Sequence, residues 1–67
     1  MEDKQVICDM LLETLRRTRN FSDLIELAYD GEAEIVRAIF ASGGEKIVNV
    51  AMDSGVAMIK DIMRALA

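Results

Sequence analysis

The sequence contains no histidine, no proline and no tryptophan, and it has a single cysteine. Each absence closes a route. Without histidine, no side chain titrates near neutral pH in its ordinary range, so acid–base catalysis has no ready agent. One cysteine excludes a disulfide within the chain and fits a reducing compartment such as the cytoplasm. Cys8 alone, without histidine, also leaves too few ligands for a structural zinc. No proline stands anywhere to break a helix.

The chain is also short. Its 67 residues allow one domain, 1–67, and a chain of this size buries only about 60% of its unfolded surface. Small domains need a staple, and with disulfides and zinc set aside the staple left is oligomerisation. Positive charge is scarce as well. The net charge of −4 favours solubility and argues against indiscriminate binding to nucleic acid or to an anionic membrane. A membrane-spanning helix needs about 20 apolar residues in a row, and the apolar stretch near Ile47 is broken by Asn49 and Asp53. Glu2 and Asp3 are acidic where a secretory leader would be basic.

What is abundant points to helices. Apolar residues make up 52% of the chain, and Leu, Ile, Ala, Met, Glu and Arg are good or tolerable helix formers. The expected fold is all-α: a small four-helix domain with two long outer helices and two short inner ones, completed by dimerisation through the C-terminal helix. The first helix is expected over 3–19, capped by Asp3, with Ile7, Cys8, Leu11, Leu12 and Leu15 on one stripe that Val6 and Met10 widen. Arg16, Arg17 and Arg19 suit its C-terminal end, and Glu13 sits one turn before the first two. A second helix is expected over 22–29 and a third over 32–41. In the third, Ile35, Val36, Ile39 and Phe40 repeat with helical spacing. Asp30-Gly31 and Ser42-Gly43-Gly44 supply the turns around it.

The fourth helix, over 45–66, is the unusual one. Its apolar residues cover an arc of about 200°, twice the stripe an ordinary surface helix buries. One side can rest on the other helices, so the other side predicts a second copy of the chain. The expected interface comprises Val48, Ala51, Met52, Gly55, Val56, Ile59, Met63 and Leu66. Residues 47–52 also alternate in the manner of a strand, with a turn and cap at Asp53-Ser54-Gly55. That arrangement ranks second, since a lone strand would have nothing in an all-helical chain to pair with.

No grouping of residues carries a catalytic signature. Cys8 lies on an apolar stripe without a partner base, as a structural thiol does. Asp30, Glu32 and Glu34 alternate like the start of a calcium loop, but Ile35 stands where glycine is required and Ala41 where the last ligand belongs. Gly43-Gly44-Glu45-Lys46 lacks the glycine spacing and the hydroxyl of a phosphate loop. Residues 24–40 could mimic a helix-turn-helix, but Glu32 and Glu34 would repel phosphate at the reading helix. The expectation is a non-enzymatic, homodimeric protein-interaction module without metal or cofactor, acting as a small regulator or inhibitor of a protein partner. The alternative is a dimeric nucleic-acid-associated regulator that grips anions with Arg16, Arg17 and Arg19.

Overall fold

A computed structural model describes residues 3–66 of the chain. Its element order is α1 (Lys4–Arg16), β1 (Leu24–Asp30), β2 (Ile35–Phe40), β3 (Glu45–Asn49) and α2 (Gly55–Leu66). The strands form one antiparallel sheet in the order β1-β2-β3. This α/β architecture replaces the all-α four-helix bundle expected from composition.

The first helix forms where the sequence places it. The Asp3 carboxylate accepts hydrogen bonds from the Gln5 and Val6 amides at 3.0 and 3.3 Å, an N-cap that satisfies two otherwise orphaned donors. Arg16 closes the last turn. The helix ends three residues short of the expected stop, and residues 17–23 turn the chain into the sheet.

The two short helices expected over 22–29 and 32–41 are strands. The i, i+1, i+4, i+5 pattern that suggested a helix for the second of them has another cause. Val36, Ala38 and Phe40 face the core, while Ile35, Arg37 and Ile39 face the opposite side of the sheet. Isoleucines on that second face erase the apolar–polar alternation by which a half-buried strand is recognised. β-branched and aromatic side chains favour the pleated surface once partners exist. In β1, a bulge lies between Leu24 and Glu26. It turns Ile25 outward while Leu24 and Leu27 both stay buried.

The hairpin loops explain the turn signals. Asp30 Oδ1 accepts from the Glu32 and Ala33 amides at 3.0 and 3.2 Å, and Glu34 takes a left-handed φ of 54°. The second hairpin closes through Phe40 N–H to Gly44 C=O and Gly43 N–H to Phe40 C=O, both 2.9 Å. Gly43 has φ 97°, which only glycine adopts without strain. Ser42-Gly43-Gly44 is therefore a hairpin turn between strands rather than a helix stop.

The long fourth helix is also corrected. Residues 45–49 are β3, residues 50–54 turn, and α2 starts at Gly55. Its apolar arc was twice too wide because half of it belongs to a strand. The second-ranked arrangement, a strand before a helix near Ser54, describes this segment, and its missing partner is β2 of the same chain.

Both helices cover one face of the sheet. Cys8 and Leu15 of α1 meet Leu24, Leu27, Val36, Ala38, Val48, Val50 and, from α2, Met58, Ile62 and Leu66 in a single apolar core. Lys4 Nζ reaches Val50 C=O (3.3 Å) and Lys46 Nζ reaches Ala65 C=O (3.1 Å). α1 thus begins at the end of the sheet where β3 finishes, and α2 finishes where β3 begins. The two helices run in the same direction.

Candidate interaction surface

α1 and α2 lie side by side over the sheet, and the seam between them is open to solvent. Ile7, Met10, Leu11 and Thr14 of α1 and Ile59 of α2 line a shallow apolar groove of about 310 Å³. Around it the helical layer exposes more apolar surface. Met10 is 66% exposed, Val56 65% and Val6 47%. Helical spacing puts Val6 and Met10 on one side of α1, four residues apart. In the turn before α2, Met52 is 98% exposed and holds a left-handed φ of 65°, a conformation that costs a non-glycine residue about 1 kcal/mol or more.

The residues expected at a dimer interface separate into three groups. Val48, Gly55 and Leu66 are buried within the single chain, and Ala51 and Met63 are half-buried. Met52, Val56 and Ile59 remain exposed, the last two on the helical layer. The contributions of Val6 and Met10 extend this surface onto α1. The sequence carried their signal as the widening of the first helix's stripe.

The outer face of the sheet is a second open surface. Ile35, Ile39 and Ile47 stand on it with Glu26, Asp30, Arg37 and Glu45. Arg37 Nε lies 3.4 Å from Glu45 Oε2 across the β2–β3 pair. A depression of about 290 Å³ is lined here by Glu26, Ala28, Tyr29, Asp30, Arg37 and Ile39. These residues come to one face only when three separate strands pair, so helical spacing does not group them.

Arg16, Arg17 and Arg19 are exposed around the C-terminal end of α1. They do not form an isolated basic patch. Arg16 and Arg17 share a concavity of about 440 Å³ with Asp9, Leu12 and Glu13, and Arg17 Nη2 lies 3.3 Å from Glu13 Oε1. Two carboxylates beside two guanidiniums cancel most of the field that phosphate would feel.

Two titratable groups are perturbed. Burial pushes the Cys8 thiol up to about 11, with the Asp9 charge adding to it, so Cys8 stays a neutral thiol inside the core. In the turn before α2, a hydrogen bond with the Asp61 carboxylate, desolvation and the Asp61 charge raise Asp53 above its ordinary value, while Lys4 pulls the other way. Asp53 Oδ2 is enclosed and has no hydrogen-bond partner among the described residues. Among those residues no three side chains of His, Cys, Asp or Glu are placed to hold a metal ion, and no helix is long and apolar enough to cross a membrane.

No family model, curated protein or solved structure matches this chain.

Proposed function

We propose that the chain is a non-enzymatic protein-interaction module that works as a homodimer, as a small regulator or inhibitor of another protein would. The observation that supports this is the exposed apolar set on the helical layer, where Met10 and Ile59 line the groove and Val6 and Val56 are exposed on the same two helices. Several large apolar side chains exposed on one pair of helices are seldom left bare. A core built by 67 residues gains more from a second copy than a larger domain's core would. The single, buried thiol suits the cytoplasm, where we place the protein.

The outer sheet face is the surface for a different protein. Its isoleucines stand among the carboxylates Glu26, Asp30 and Glu45, with Arg37 the one cation on that face among the described residues. A partner segment that is both apolar and basic complements that mixture.

Sedimentation equilibrium at micromolar concentration tests the homodimer; a monomer that melts cooperatively would refute it. The sheet face is tested by titrating isotope-labelled protein with an amphipathic lysine–leucine peptide and with its glutamate–leucine counterpart. Salt-sensitive shifts at Ile35 and Ile39 with the basic peptide alone support the assignment. Equal response to both peptides, or none, removes it.

A further inference from the structure

The homodimer reading leaves open which surfaces meet. Resting on that reading, we infer that two copies join through their helical layers, about a two-fold axis parallel to the helices, so that α1 of each copy lies over α2 of the other.

The direction of the helices makes this arrangement available. α1 and α2 run the same way, as the Lys4–Val50 and Lys46–Ala65 contacts require. A two-fold axis along that direction keeps all four helices parallel and exchanges α1 with α2 across the interface.

The side chains select it. The outward side of α1 carries Val6 and Met10 in its first half and Glu13 in its second. The outward side of α2 carries Val56 and Ile59 first, then Lys60 and Arg64. With α1 over α2, apolar side chains meet apolar ones and Glu13 comes opposite Lys60 and Arg64 of the second copy. With each helix over its own equivalent, the two-fold axis runs across the helices and each pair is antiparallel, so Glu13 would lie over the apolar first half of the second α1 and Arg64 over that of the second α2. Setting those charges against apolar side chains strips their water without supplying a partner charge, a mismatch that partner selection avoids. The Arg17 contact to Glu13 within the chain does not compete strongly. Both side chains are more than two-thirds exposed, and exposed pairs of this spacing are weak.

The size of the face also fits a second copy. Helices of 13 and 12 residues are about 20 Å long and pack 8–10 Å apart. The layer thus has a plan area of about 400 Å², and more over its corrugated side chains, against the roughly 800 Å² of accessible surface per partner in a stable interface. Only a partner that covers both helices approaches that figure, and an identical two-helix layer does.

The other route to a two-fold dimer is the free edge of β3. The hydrogen bonds Phe40 to Gly44 and Val50 to Glu34, with the register between them, direct the backbone groups of Glu45, Ile47 and Asn49 outward. That edge is short and charged at Glu45 and Lys46, as protected edges are. α2 packs over β3. Joining two β3 strands about 4.8 Å apart would crowd their α2 helices inside the 8–10 Å that helices need.

The test is the dissociation constant measured by sedimentation equilibrium, with circular dichroism confirming the fold. Met10→Asp and Ile59→Asp should each give a folded monomer. Glu13→Lys should weaken the dimer about tenfold. Adding Lys60→Glu and Arg64→Glu to Glu13→Lys should restore it to within a few fold of the parent. Failure of that restoration overturns the helix-over-helix pairing. A dimer that survives Ile59→Asp but is lost on Ile47→Pro, which removes an outward N–H, places the contact at β3 and overturns the proposal while the homodimer reading stands. A parent chain that stays monomeric at every concentration overturns both.

Discussion

The side-chain amide of Gln5 pairs with the backbone at Tyr29 much as a neighbouring strand would. Gln5 Oε1 accepts from Tyr29 N–H at 2.9 Å, and Gln5 Nε2 donates to Leu27 C=O at 3.3 Å. Those are the outward-facing groups of β1, since Glu26, Ala28 and Asp30 hold the bonds to β2. The same Nε2 donates to Asp9 Oδ1 at 2.8 Å. One glutamine on the first turn of α1 therefore closes an edge of the sheet and fastens the helix to it.

Gln5→Ala should lower the unfolding free energy by about 1–2 kcal/mol, since a part-buried N–H loses its acceptor. Gln5→Glu should cost a similar amount, because a carboxylate accepts from Tyr29 but cannot donate to Leu27. Urea denaturation followed by circular dichroism measures both. A change under a few tenths of a kcal/mol would mean that the edge is satisfied by water.

The inward and outward faces of β1 should differ sharply. Leu27→Ala should cost about 2–5 kcal/mol, since Leu27 is 2% exposed in the core. Ile25→Ser should cost well under the Leu27 value, about 1 kcal/mol or less, because the bulge leaves that side chain 47% exposed. A helix over 22–29 would instead bury Ile25 beside Leu24 and make the two substitutions comparable.

The Asp53–Asp61 pair carries a pH dependence. The folded pKa of Asp53 is raised above its unfolded value. Its favourable contribution is therefore full below the unfolded pKa and is lost as pH rises through the folded one. Asp53→Asn keeps a donor toward Asp61 without needing a proton. The variant should melt above the parent at neutral pH, and the gap should close as pH falls below the ordinary aspartate range. A gap that persists in acid would assign the effect to something other than the shared proton.

Cys8 should resist thiol reagents in the native state. With its pKa at about 11, little thiolate exists near neutrality, and the side chain is fully buried. Reaction with a disulfide reagent should track global unfolding and accelerate in urea. The buried thiol also loses its stabilising contribution as pH rises from 9.0 toward about 11, so thermal stability should fall over that range in the parent and not in Cys8→Ala.

How much of this molecule is legible in the sequence depends on the range of the forces involved. The first helix was readable because its determinants are local. The Asp3 cap and the stripe through Cys8 and Leu15 lie within the segment they shape, whereas the end at Arg16 falls three residues before the expected one. The turns at Asp30-Gly31 and Ser42-Gly43-Gly44 were readable for the same reason, although what they joined was not. The exposed part of the helical layer was half legible. Val56 and Ile59 were anticipated, while Val48, Gly55 and Leu66 belong to the core. The outer sheet face was invisible, since it exists only after three separate segments pair.

The sequence by itself determined the start of the first helix, the turn positions, the lone shielded thiol and an excess of apolar side chains. Tertiary structure decided that residues 24–30, 35–40 and 45–49 are strands. Their side chains suit a helix by local propensity and spacing, and within the segments only the alternation over 47–52 points the other way. The sheet wins because pairing satisfies the backbone of all three strands at once. It also sends Leu24, Leu27, Val36, Ala38 and Val48 to one side, where two helices can bury them together. That gain is non-local, and no window of sequence contains it.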